Sequence, residues 1–308
     1  MMAKETAQRP ALFETARIAK RRDRADRCGF AGRGDFLHVE VAGLLGERLA
    51  EVTRDFNDAV IIGCGGGVHT EALQGRVGQV HQLEWSPARA AQAGIEPTDF
   101  SDTLPLEPES CDLIVSALEL HWANDPVGQL IQMRRALRPD GLMIAAMFGG
   151  QTLAELRDVL SRAEVEVTGG LSPHIAPMGE IRDLGGLIQR AGLTMPVADS
   201  ERLPVTYSDA LALMRDLRAM GETNILADRR RVGLTKRFLQ RVSELYAADY
   251  PAPDNRIRAT FEIVFLTGWA PAPDQPKPLR PGSAKKRLAD ALAVPEHKLN
   301  DKARPGET

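Results

Sequence analysis

The run Gly63-Cys64-Gly65-Gly66-Gly67 closes a short apolar segment, DAVIIGC (58–64), and is the first place where this 308-residue chain could do chemistry. A glycine turn after a strand lets the backbone approach a ligand closely. It also aims the N–H groups of a following helix at a negative group. A dinucleotide-binding turn would read GxGxxG. Counted from Gly63 the last position is Val68, and counted from Gly65 it is Thr70, so neither register fits. The spacing of Gly63, Gly65 and Gly67 suits a cofactor without a pyrophosphate; a purely structural turn is the alternative.

Glu84 ends the next apolar run, QVHQLEW (79–85). An acid at a strand end can accept both hydroxyls of a ribose; a solvated surface acid is the other reading. S-adenosylmethionine fits both features, because it presents a carboxylate, an ammonium and a ribose. Asp99-Phe100 precedes Leu104-Pro105 and could take an adenine amino group and its ring, although loop acids are common. His121-Trp122-Ala123-Asn124-Asp125 follows the run CDLIVSALEL (111–120), and ligands bind outside such strand ends. His121 can serve as a base; a packing histidine is the commoner fate.

These residues need elements to hold them. Four apolar runs, 58–64, 79–85, 111–120 and 141–148, alternate with helix-like stretches (VHTEALQGR, SPARAAQAG and DPVGQLIQMRRALRPDG), which is the βαβα pattern of a doubly wound, mostly parallel sheet. Asp125-Pro126 reads as a helix cap followed by proline at the first helical position. Helices are expected over 151–165 and 178–192, with Gly192 closing the second, and strands over 194–206 and 259–269. Residues 208–249 read as helical. They form a cap inserted before the last strand, and the two late strands pair antiparallel at one edge. Residues 17–27, RIAKRRDRADR, read as an amphipathic helix with a basic face. Three domains follow: an N-terminal helical segment (1–40), a cofactor domain (41–270, cap about 208–249) and a Pro/Lys-rich tail expected to be disordered (271–308), with a short helix possible near 284–293.

Composition narrows the class. A net charge of −3 gives no basic excess for nucleic acid. No apolar run nears the roughly 20 residues that span a bilayer. The start, MMAKETAQRP, lacks the apolar core of a secretory signal, so a cytoplasmic protein is expected, with any membrane association made through a partner. Cys28, Cys64 and Cys111 are scattered and fit a reducing compartment. The histidines show no HxH or HExxH spacing, so no protein-held metal is expected.

The glycine turn, Glu84, Leu104-Pro105 and LHW-x-ND-P together resemble the class I S-adenosylmethionine-dependent methyltransferases. AMFGGQTLAELR (145–156), GGLSPHIAP (169–177), DLGGLIQRAGL (183–193) and MRDLRAMGETN (214–224) resemble one subgroup, which contains a respiratory complex I assembly factor that acts as a protein arginine hydroxylase. The biotin-pathway malonyl-acyl-carrier methyltransferase is a more distant relative. The resemblance implies a seven-stranded sheet. It places S-adenosylmethionine at Gly63, Gly65, Gly67 and Glu84, with Asp99 or Phe100 near the adenine. It puts Trp122, Met147, Phe148, Gly149, His174 and Glu222 on the substrate side, and a complex I subunit as partner. One departure stands out. The family's first motif reads Leu-Asp-Leu-Gly-Cys-Gly, and here Ile61 replaces the acid. Methyl transfer, arginine hydroxylation and non-catalytic binding by a degenerate site are the three functions this pattern admits.

Overall fold

A computed structural model describes residues 11–27, 36–99 and 101–275. The main body spans 1–272, and only residues 273–275 of a second unit, 273–308, are described. Phe100, Cys28, most of the expected tail and its possible helix lie outside the described residues.

The sheet is seven-stranded, and β1 (Phe56–Ile62) and β3 (Cys111–Ala117) are neighbours in it. β3 is buried along its whole length, so both its faces are covered, as its unbroken apolar sequence requires. β2 (Val77–Leu83) pairs parallel with β1 on one side, and β3 on the other. Beyond β3 come β4 (Leu137–Phe148, parallel), β7 (Arg256–Trp269, antiparallel) and β5 (Thr194–Tyr207), which pairs antiparallel with β7 at the edge. The seventh strand, β6 (Pro251–Ala252), is a two-residue hairpin arm on β7. Strand order therefore reverses between β1 and β3. A ligand crevice is expected outside the carboxyl ends at such a switch point.

Helices cover both faces: α1 (Ala16–Arg27), α2 (Phe36–Ala50), α3 (Val68–Glu71), α4 (Pro87–Ala93), α5 (Pro126–Ala136), α6 (Ala154–Thr168), α7 (Ile181–Arg190), α8 (Ala210–Met220) and α9 (Lys236–Asp249). Each strand sends alternate side chains to opposite faces. One core gathers Leu37, Leu45, Phe148, Phe261 and Phe265; the other gathers Leu83, Leu130, Met133, Ile188 and Leu266. α5 starts as its sequence predicts, with Asp125 accepting from the Gly128 N–H and Pro126 first in the helix. α2 runs across the expected boundary at residue 40.

The stretch 208–249 is not one helical block. α8 stops at Gly221, whose φ of +82° is left-handed backbone that glycine adopts without strain. α9 restarts only at Lys236, capped by the Thr235 hydroxyl. The intervening 222–235 carries no helix and turns back toward α1, where Glu14 N–H donates to the Ile225 carbonyl.

Candidate cofactor and substrate site

The glycine turn lies where β1 ends. Gly63 has a φ of +81°, and a Cβ there would fall 2.5 Å from Glu119 Cγ and 2.6 Å from the Ala117 carbonyl oxygen. Glycine is thus required twice, by the backbone angle and by the close approach of the β3 end. Glu84, at the end of β2, is fully enclosed. Its Oε1 accepts from the N–H groups of Trp85 (3.0 Å) and Ser86 (3.1 Å), and its Oε2 takes the Cys64 thiol at 3.5 Å. Burial and the neighbouring Glu84 push that thiol up to about 12, so it remains a donor. Three donors, one of them from the turn itself, therefore hold the carboxylate against the turn.

Ile61 is 0% exposed and packs in the core with Leu113, Val115 and Leu73. An acid at that point would face desolvation. Glu119 supplies a carboxylate nearby, on the irregular segment after β3, over Gly63. It accepts from Trp85 Nε1 (2.9 Å) and from the Arg22 guanidinium of α1. Arg22 is 0% exposed and also donates to Glu222 Oε1 at 3.2 Å. Burial works against its charge, but Glu119 and Glu222 outweigh it and raise its pKa. Burial pushes Glu119 up to about 7 despite Arg22, with Glu84 and Glu222 adding to the shift. Burial also opposes ionisation of Glu222, yet its hydrogen bond with His121 and the charge of Arg22 bring it down to about 2.

His121 is buried against Phe148 and Trp122, with ring centroids 4.4 and 5.0 Å away. Its Nε2 lies 3.4 Å from Glu222 Oε2, and Trp122 Nε1 donates to the same oxygen at 2.8 Å. Burial lowers the His121 pKa, so the ring is held neutral. Helix α1 is fixed in place by Asp23, which accepts from the Ser86 hydroxyl (2.7 Å) and the Ala88 N–H (3.1 Å) at the start of α4. Arg89 of α4 in turn donates to the Met220 carbonyl (2.9 Å).

Beyond Glu222 opens a cavity of about 910 Å³, whose lining includes Trp122, Phe148, His174 and Glu222, four of the residues expected on the substrate side. Met147 is not among them: as the neighbour of Phe148 on β4 it faces the opposite core, with Leu184 and Ile188. Gly149 is turned toward Glu262, whose Oε2 would lie 2.5 Å from an added Cβ. His174 is held by Glu164 Oε2 (3.0 Å) and stacks on Phe238. Asp99 is exposed; it follows Thr98, whose N–H donates to the Glu84 carbonyl at 2.7 Å. Sequence reasoning did not single out Arg22, Glu119 or Trp85. The available signals were an arginine in line with Ile18 and Ala25 on the buried face of α1, and an acid closing an otherwise apolar run.

The donor set can be tested against a zwitterionic, ribose-bearing cofactor. Several buried polar atoms near the turn have no hydrogen-bond partner: Arg22 Nε, His38 Nδ1, His69 Nε2, Ser116 Oγ and His121 Nδ1. Such atoms are costly without a partner. Together with one buried guanidinium, Arg22, and the carboxylates Glu119 and Glu84, they are the donor and acceptor types that a zwitterionic, ribose-bearing ligand such as S-adenosylmethionine calls for.

Fold and switch-point site thus define a protein of the class I methyltransferase fold. Residues 60–145 match the family described as "Methyltransferase domain". Protein BH2331 of Bacillus halodurans, described as a candidate methyltransferase, shares the fold at a TM-score of 0.50 and 14% identity, over 74% of this chain and 99% of its own. The zebrafish (Danio rerio) protein "Arginine-hydroxylase NDUFAF5, mitochondrial" is 34% identical over 92% of this chain and 90% of its own length. The mouse (Mus musculus) protein of the same name is 35% identical over 87% and 78%. A malonyl-[acyl-carrier protein] O-methyltransferase of Laribacter hongkongensis is 37% identical over 56% of this chain and 55% of its own. The chain belongs to the family of the NDUFAF5 proteins. Among the described residues no helix is long and apolar enough to cross a membrane.

Proposed function

We propose that this chain binds S-adenosylmethionine over the glycine turn and acts as a methyltransferase on a protein substrate during respiratory complex I assembly. The observation that carries the reading is the Glu84 carboxylate, held against the turn at the switch point by Trp85, Ser86 and Cys64. In the bound state Glu84 would take the ribose, Arg22 and Glu119 the amino-acid end, and Asp99 the adenine side. The cofactor supplies an activated methyl group, which leaves alignment and exclusion of water to the protein. The aromatic and aliphatic wall of the cavity serves both. His121 does not itself line the cavity; it packs on Trp122 and Phe148 of its wall, and as a base it would accept a proton at its unpaired Nδ1. A thermal-shift titration with S-adenosylmethionine tests this. Wild type should be stabilised and Glu84→Ala should not be. An unstabilised wild type, or a variant that binds equally well, defeats the assignment.

A second reading, arginine hydroxylation, is supported by the printed names of the relatives, which call them arginine hydroxylases. Mass spectrometry of complex I subunits from a deletion strain separates the two. Loss of one oxygen from an arginine supports hydroxylation, and loss of one CH2 from a side chain supports methylation.

A further inference from the structure

We infer that the cavity beyond Glu222 is a docking groove for an acidic, extended peptide segment whose apolar side chains enter between two rows of cations. The inference rests on the protein-substrate reading above and names the class of segment that site would take. Eight cationic side chains and one acid, Glu222, line the cavity, in a chain whose net charge is −3. The positive charge is thus local to the cavity. Glu222 is itself offset by Arg22.

One row lies on α1. Arg17, Lys20, Arg21 and Arg24 are spaced three, four and seven residues from the first, which puts them on a single helix face. The other row is Arg218 of α8 and Arg229 to Arg231 of the following segment. Glu14 engages Arg17, Arg229 and Arg231, and Glu164 engages Arg230. Lys20, Arg21, Arg24 and Arg218 have no ion pair among the described residues. Arg21 is half-buried and donates to the Thr223 hydroxyl. Burial above all, with the charges of Arg229 and Arg17 adding to it, pulls it down to about 10.

The floor between the rows is apolar: Trp122, Phe148, Leu156, Leu160, Met214 and Phe261. The shape of the charge decides the ligand. Seven helical steps from Arg17 to Arg24 carry the α1 row over about 10 Å. A single phosphate or carboxylate would need donors converging on one point. An extended chain advancing about 3.3 Å per residue presents three or four residues along such a row. Acidic residues would meet the cations, and the apolar residues between them would meet the floor.

The test uses the full chain and fluorescence anisotropy of two labelled peptides. In one, Asp and Glu alternate with Leu; in its twin, Asn and Gln replace the acids. The acidic peptide should bind at least about tenfold tighter than the twin, and its affinity should fall as salt is raised. The exposed pair Lys20→Glu with Arg24→Glu should weaken it by about tenfold or more, and so, separately, should Arg218→Glu on the opposite row. Melting temperature and stabilisation by S-adenosylmethionine should be unchanged in both variants. Equal binding of the twin overturns the groove, and so does wild-type affinity in both variants. Displacement of the peptide by equimolar inorganic phosphate or decanoate also overturns it, because the site then takes a small anion. Cofactor stabilisation without peptide binding sinks the groove alone. Peptide binding without cofactor stabilisation sinks the cofactor assignment and leaves the groove standing.

Discussion

About the Arg22 guanidinium, near the glycine turn, lie three enclosed carboxylates, Glu84, Glu119 and Glu222. Beyond Glu222, which borders both regions, lies a cavity whose walls carry many cations, several of them exposed, over an apolar floor. In the first region charges are desolvated and each depends on its partners, so removing one leaves the rest uncompensated. In the second most charges stay in contact with water, where single substitutions cost little. Groups that hold the fold together are thus concentrated on the glycine-turn side, and exposed charges on the cavity side.

The contrast predicts a graded series of stabilities. Arg22→Ala should cost the most, about 3–5 kcal/mol, because two buried carboxylates lose their cation; a denaturant midpoint close to wild type would show that the network is not closed. Glu119 gives the next effect, and it depends on pH. Its folded pKa of about 7 lies above the usual 4.5, so its ionisation opposes folding. Stability from this group is present below about pH 4.5 and is lost as pH rises through 7, by about 3 kcal/mol in all. The buried histidines, with lowered values, titrate in the opposite sense. The informative quantity is therefore the difference between wild type and Glu119→Gln, which should shift in favour of the variant between pH 5 and pH 8. A difference that does not change with pH would place Glu119 in solvent.

Gly63→Ala should follow, at about 2 kcal/mol, from left-handed backbone and contact with Glu119 and Ala117 combined. Thermal melting checks it. Arg218→Ala on the cavity rim closes the series, with a change within about 0.5 kcal/mol. A loss as large as that of Gly63→Ala would mean that the rim, too, supports the fold.

How much of this was legible in the sequence follows the same divide. Gly63 to Gly67, Glu84 and Asp125-Pro126 are local patterns, whose meaning is fixed by neighbours within a turn or a strand, and the structure places them at the switch point and the α5 start. The core strands were legible because burial on both faces leaves an unbroken apolar run. Arg22 meeting Glu119 and Glu222 was not legible, since those residues are 97 and 200 positions away in the chain. Periodicity cannot show such pairings. Met147 and Phe148 illustrate the limit: a motif names both, and only the strand's alternation decides which one reaches the cavity. The break at Gly221 escapes the sequence pattern because α8 and α9 on either side of it are both amphipathic and helical.

Helix α1 carries Ile18, Arg22 and Ala25 on one side and the row from Arg17 to Arg24 on another. The two sets are locked in phase by 3.6 residues per turn. One residue inserted between Arg21 and Arg22 would rotate Arg22, Arg24 and Ala25 by about 100° against Arg17, Ile18, Lys20 and Arg21, and so break both sets at once. Asp23 clamps the helix to the start of α4, immediately after Glu84. One helix therefore joins the glycine-turn network to the basic row, through Arg22 bonded to Glu119 and Asp23 bonded to the start of α4.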